Sequence, residues 1–363
     1  MGGIDENLKN SVSSRLIKKN FAGGDINYGA GITGLINRPG RINNLYWQFG
    51  IADREHFDAK FTDDLLNFVL FGNKRFAGQI ARLGPLNINY FRFQQAKTGL
   101  IFGHTAGSMF SITLSYLKGE QHYSLNSSDL DFYTSPIGDQ VSLTGDIALR
   151  STDTSNTGFG AFNGNGFSSD IFMKWSSSMF LRGKKRPTLL NFSFTDAGII
   201  YWNQSSLTYY KNMAYFYEGV VLDSIGEFNL LGSQFGKLND SISASVQYGM
   251  KNGRYNTPLP STVRFSVAQE HHDRWIIEAG GLYRINANFT PFGYLKESFR
   301  IKENMIASLS AGYGGYGRLS VGTEWRMSIK KFDVSAGITN IEGIIFPMKS
   351  GGLGGYAMIR GFF

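Results

Sequence analysis

The sequence predicts an all-β protein: a transmembrane antiparallel β-barrel of about 14 strands, within roughly 12 to 16, carrying short helical inserts. Three observations lead there. Segment after segment alternates apolar and polar residues with period two. The segments run about 9 to 12 residues, longer than the usual strand of about 5 to 6 and suited to a tilted bilayer crossing. Their polar faces carry mainly Ser, Gly and Thr with isolated charges of both signs, as the interior of a barrel does.

Composition narrows the class. Of 363 residues, 18% are charged, against about 25% in soluble domains. Glycine is abundant at 45 residues, and aromatics reach 15%, with 30 Phe and 18 Tyr. The absence of cysteine excludes a disulfide framework, a thiolate zinc site and a thiol nucleophile. The net charge of +8 is spread along the chain instead of clustering, so no nucleic-acid partner is expected. No apolar run approaches the ~18 residues of a membrane helix. The opening MGGIDENLKN lacks the charged-then-apolar pattern of a signal peptide. The expectation is an exported chain whose signal peptide is absent from this sequence.

Residues 1–22 form an N-terminal amphipathic segment, with Ile4, Leu8, Val12 and Leu16 at i+4 spacing, read as a plug or periplasmic helix. The barrel is expected over 23–363. NLYWQFGI places Leu45, Trp47, Phe49 and Ile51 opposite Gln48 and Gly50. A helical insert is expected near 54–80, where Phe57, Phe61, Leu65, Phe68 and Val69 fall at helical spacing and Thr62 or Asp63 can cap. MFSITLSY then sets Phe110, Ile112, Leu114 and Tyr116 against Ser111, Thr113 and Ser115. A second insert is expected near 218–240, around Leu222, Ile225, Leu230 and Leu231. From about residue 260, alternating strands follow one another through the short turns HHDR, NANF, GYGG and MSIK. Trp325, Trp275, Tyr283, Tyr116 and Tyr313 sit near strand ends, as in an interfacial girdle. The last segment, GGYAMIRGFF, alternates to its end. Its Tyr356, Ile359 and Phe363 read as a C-terminal aromatic assembly signal.

LLNFVLFGNKRFAGQI, NINYFRFQQAKTGLIFG and LLNFSFTDAGIIYWNQSS carry a family resemblance. Gly72 and Asn73 follow an apolar helix, Tyr90 leads to Gly99, and Asp196, Gly198, Ile200 and Trp202 share one strand. In this order they resemble a group of uncharacterised outer-membrane barrels of Bacteroidota. That group is distantly similar to the long-chain fatty-acid transporter-like barrels, which include the shuttle barrel of the type IX secretion apparatus. The resemblance covers residues 45 to 363. It implies the outer membrane of a Gram-negative cell, contact with its lipid and with the assembly machinery, and no settled activity.

Candidate chemistry is sparse. The histidines are His56, His104, His122, His271 and His272. His271-His272-Asp273 sits where a hairpin turn is expected, and neighbouring strand residues point to opposite faces, so no metal site is predicted. His104 beside Thr105 and Ser108 has no supporting spacing for a hydrolase. GYGGYG lacks the Lys-Ser/Thr of a phosphate loop and reads as a turn. No catalytic, cofactor or metal residues are assigned. The inward charges Arg264, Glu278, Arg284, Arg318, Glu324, Arg326, Lys331, Asp333 and Arg360 form a predicted lumen ladder, with opposite signs paired on neighbouring strands.

The functional expectation is a non-enzymatic outer-membrane barrel, a structural or accessory subunit of a secretion or assembly complex with other envelope proteins as partners. A channel for hydrophobic or small anionic solutes and a soluble β-rich binding protein are the alternatives.

Overall fold

The computed structural model describes residues 5–36, 44–103, 107–177, 188–218, 249–272, 274–341, 343 and 352–361. They form one antiparallel sheet of 19 strands with two short α-helices. Helix α1 (Glu6–Ser13) is capped by Asp5, which accepts the Asn7 N–H. It is shorter than the predicted segment. Strands β1 (Asn20–Leu35) and β2 (Leu45–Phe61) pair along their full length.

The predicted insert at 54–80 is corrected by the fold. Residues 54–61 continue β2, and helix α2 occupies only Asp63–Phe71. The chain turns where Thr62 caps the helix, its Oγ1 accepting the Leu65 N–H at 3.1 Å. Asp63 and Asp64 favour the positive helix end. Phe57 and Phe61 therefore belong to a strand. A helical spacing of aromatics overlapped a period-two one, and strand pairing with β1 decided between them. The insert expected at 218–240 lies, except for Glu218, outside the described residues.

Thereafter come β3 (Gln79–Arg82), β4 (Leu86–Gly103), β5 (Met109–Ser127), β6 (Leu130–Thr134), β7 (Gln140–Ser151), β8 (Gly164–Ser177), β9 (Thr188–Trp202) and β10 (Leu207–Glu218). The second half holds β11 (Lys251–Asn252), β12 (Tyr255–Pro258), β13 (Ser261–His272), β14 (Trp275–Ile285) and β15 (Thr290–Lys302). It closes with β16 (Met305–Gly315), β17 (Arg318–Ile329), β18 (Phe332–Thr339) and β19 (Gly354–Gly361). The GYGG stretch ends β16, and the turn itself falls at Tyr316 and Gly317. Gly314 (φ 117°) and Gly315 (φ 70°) adopt the left-handed backbone that leads into it.

Nineteen strands exceed the expected range because short ones branch from the main run. That run is β1-β2-β4-β5-β8-β9-β13-β14-β15-β16-β17-β18-β19, thirteen strands, each antiparallel to the next. With an odd count, β1 and β19 point the same way. Long strands change partners: β5 pairs with β8 through Gly119, then with β7 from Tyr123. The branch β3-β6-β7-β10 grows from that second half. It packs on α2 around Phe76, Leu83, Leu130, Phe132 and Met213. Phe68 of α2 meets Phe132 edge-on at 4.8 Å between ring centres. Each such buried side chain contributes about 1.5–3 kcal/mol.

Candidate functional site on the inner face of the sheet

The alternation read from the sequence has an unusual sense in the fold. Along β5, Ser111, Thr113 and Ser115 are buried at 8%, 5% and 5% exposure. Their neighbours Phe110, Ile112, Leu114 and Tyr116 are exposed at 37%, 38%, 62% and 54%. Trp47, Phe49 and Ile51 on β2, Met173 and Trp175 on β8, and Leu309 and Tyr313 on β16 repeat the pattern. The small polar side of the sheet is its inside, and the apolar side faces out.

The inside is stitched by amides and hydroxyls. Gln48 donates through Nε2 to Thr113 Oγ1 at 2.6 Å and Ser111 Oγ at 3.2 Å. Gln95 donates to Ser115 Oγ at 3.0 Å and Ser168 Oγ at 3.3 Å. Asn191 reaches Ser266 Oγ at 3.2 Å, and Ser298 and Ser308 share a hydrogen bond of 2.8 Å. Small residues are needed because partners on several strands must meet in one narrow space.

Further along the same face, charges bridge the interior. His56 on β2 places Nδ1 2.8 Å from Asp25 Oδ1 and Nε2 2.8 Å from Asp58 Oδ2. Arg284 on β14 approaches Asp25 at 2.6 Å. Arg54 pairs with Asp196 of β9. Asp58 is fully buried and also takes the Asn288 backbone N–H at 3.1 Å and Asn89 Nδ2 at 3.1 Å. Two carboxylates can only accept, so a ring protonated at both nitrogens satisfies both. Asp196 has a left-handed backbone (φ 60°), which Asp tolerates, and its N–H donates to Asp170 Oδ1 at 2.7 Å. On the outer face at this level, Arg92 gathers Asp53 at 3.6 Å, Glu55 at 3.4 Å and Glu120 at 3.0 Å. Both faces of β2 are polar here, so the exposed apolar band ends near Ile51.

Against the charges packs an aromatic stack, with Phe91 opposite His56 and Phe93 opposite Arg54 in register. His122 sits 4.8 Å from the Phe91 ring, 5.4 Å from Trp202 and 5.4 Å from Tyr255, ring centre to ring centre. Its Nδ1 lies 2.8 Å from the Tyr255 hydroxyl, and Trp202 Nε1 donates to Thr257 at 2.6 Å. Phe93, Leu117, Ile200 and Leu259 complete a buried cluster. On the other side of the charged belt is a cavity of about 460 Å³, whose lining includes Gln48, Lys97, Ser111, Thr113, Asn191 and Arg264.

The predicted ladder is assembled only in part. Glu324 meets Lys296 at 2.6 Å and Arg326 at 3.3 Å. Glu278 accepts the Tyr294 hydroxyl at 2.7 Å, and Arg284 belongs to the cross-interior cluster. Arg264 lines the cavity. Asp333 and Arg360 are directly opposite in register. Arg318 starts β17 and Lys331 lies in the turn before β18. Among the described residues no ion pair joins these last four. Of the C-terminal signal, Tyr356 is turned toward Glu324 and Ile359 is exposed at the opposite parity; Phe363 lies outside the described residues. Of the other histidines, His271 and His272 end β13, and His104 falls outside the described residues, as does Asp273. Among the described residues no group of three His, Cys, Asp or Glu side chains is placed to hold a metal.

Sequence reasoning passed over Asp25, Arg54, Asp58, Lys97 and Lys296, and it named His56 and Asp196 without placing either in an interior charge cluster. The signal for three of them was present. Gln48, Arg54, His56 and Asp58 share one parity on β2, and reading 54 onward as a helical insert hid its continuation.

The chain belongs to the family of unknown function DUF5723, which it matches over residues 4–338. No curated protein matches it.

Proposed function

We propose that this DUF5723 chain is an outer-membrane β-barrel with a sealed interior that serves as a structural or accessory subunit of a secretion or assembly complex in the cell envelope. The reversed burial of β5 and its neighbours carries the membrane part. Leu114 and Tyr116 outside, with Ser111 and Thr113 inside, is unfavourable in water and favourable in lipid. A lipid environment also requires the curled sheet to close, since an unpaired edge there costs several kcal/mol for each polar backbone group.

The filled interior supports the non-conducting, structural role. An aromatic stack, a charged belt and a hydroxyl network occupy it. Helix α2, the branch sheet and the loops beside it add exposed apolar side chains, including Val69, Ile80, Ile137 and Phe159. Such residues suit contact with other proteins. The test is affinity capture of the detergent-extracted protein from its native outer membrane, read by mass spectrometry. Stoichiometric envelope partners are expected, and a partner-free barrel contradicts the subunit role.

A further inference from the structure

We propose that the cavity beside the charged belt is a binding site for a small hydroxylated organic acid, of mono- to disaccharide size. Its volume of about 460 Å³ lies within the range of small-molecule pockets. Its two cations differ from the others on the inner face. Arg54, Arg284 and Lys296 each have a carboxylate partner. Lys97 and Arg264, which both line the cavity, make no hydrogen bond and no close ion pair among the described residues, although Asp170 lies near enough to Lys97 to feel its charge. The one acid in the lining, Asp170, already accepts the Asp196 N–H.

Lys97 and Arg264 share this space with Asp170 and with the apolar side chains of Ile101, Ile171 and Phe172, and the single carboxylate offsets only one of the two positive charges, leaving positive potential that a ligand carboxylate would neutralise. The hydroxyl and amide groups of Gln48, Ser111, Thr113 and Asn191 add hydrogen-bonding capacity of both kinds around them. A bare anion would use only the cations. A hydroxylated acid uses both sets. The site stands independently of the envelope-complex role.

The experiment is isothermal titration of the full, detergent-solubilised chain with galacturonate, with neutral galactose and with inorganic phosphate. Galacturonate is expected to bind at least tenfold more tightly than either. Lys97→Gln combined with Arg264→Gln is expected to weaken galacturonate at least tenfold, while Arg264→Lys retains most of the binding. Gln48→Leu, which leaves both cations in place, is expected to weaken galacturonate and leave phosphate unchanged. Migration of unboiled protein on a gel checks that each variant is folded. If the double variant does not fold, the galacturonate-to-galactose ratio and the Gln48→Leu result still decide. Absence of galacturonate binding, equal binding of galactose or phosphate, or unchanged binding in a folded double variant overturns the proposal.

Discussion

Arg284 lies 2.6 Å from Asp25, although seven strand-to-strand steps separate β14 from β1 in the pairing order. Laid flat, seven steps span about 34 Å. Two side chains cannot bridge that, so the sheet must curl until β1 and β14 face one another across its interior. The pair should therefore report on the curl. Arg284→Met is expected to cost about 2–3 kcal/mol, less than a fully buried pair because both groups retain some exposure. Exchanging the charges, Asp25→Arg with Arg284→Asp, should recover part of that loss. Urea unfolding in micelles measures the cycle, and additive losses with no coupling would contradict the contact.

His56 is the cation for a fully buried aspartate. His56→Leu leaves Asp58 with neutral partners only, and a loss of about 3–5 kcal/mol is expected. Replacing both by Leu removes the uncompensated charge and should restore much of it. If the double variant is less stable than either single one, the ion-pair account of this cluster fails.

Lys296 and Arg326 share Glu324 but should differ in effect. Lys296 is mostly buried at 2.6 Å, whereas the Arg326 side chain is 53% exposed at 3.3 Å. Lys296→Met is expected to cost about 1–2 kcal/mol. Arg326→Met should change stability by no more than about 0.5 kcal/mol. Equal losses in the two variants would show that exposure does not govern the ladder.

The interior stack should act as a seal. Trp202→Ala removes the largest fully buried side chain among the described residues and is expected to cost about 3–5 kcal/mol. In planar bilayers the parent protein should be silent, and this variant should conduct. Steady conductance from the parent would contradict a sealed interior and favour the channel reading.

Much of the sheet was legible because its period is two and its faces differ sharply. MFSITLSY shows both faces of β5 without any knowledge of its partners. The sense of the faces followed from the Ser, Thr and Gly on one of them. The interior cluster was harder to see. Asp25 and Arg284 are 259 positions apart, and only the curl brings them together. The ladder failed where it assumed that charges pair with immediate neighbours. Glu278 and Lys296 are opposite in register, yet Lys296 turns the other way, across β16, to Glu324 on β17 two strands from its own. The branch β3-β6-β7-β10 was hidden because β5 changes partner within a continuous alternation, at a register shift around Arg92 and Phe93 of β4.

The central claim is that this sheet turns its apolar face to lipid. A cysteine scan of residues 110–116 on β5, labelled with an environment-sensitive fluorophore and quenched by brominated lipid, tests it most directly. The account predicts strong quenching at 110, 112, 114 and 116 and weak quenching at 111, 113 and 115. Quenching without period two, or none at any position in reconstituted vesicles, would contradict it.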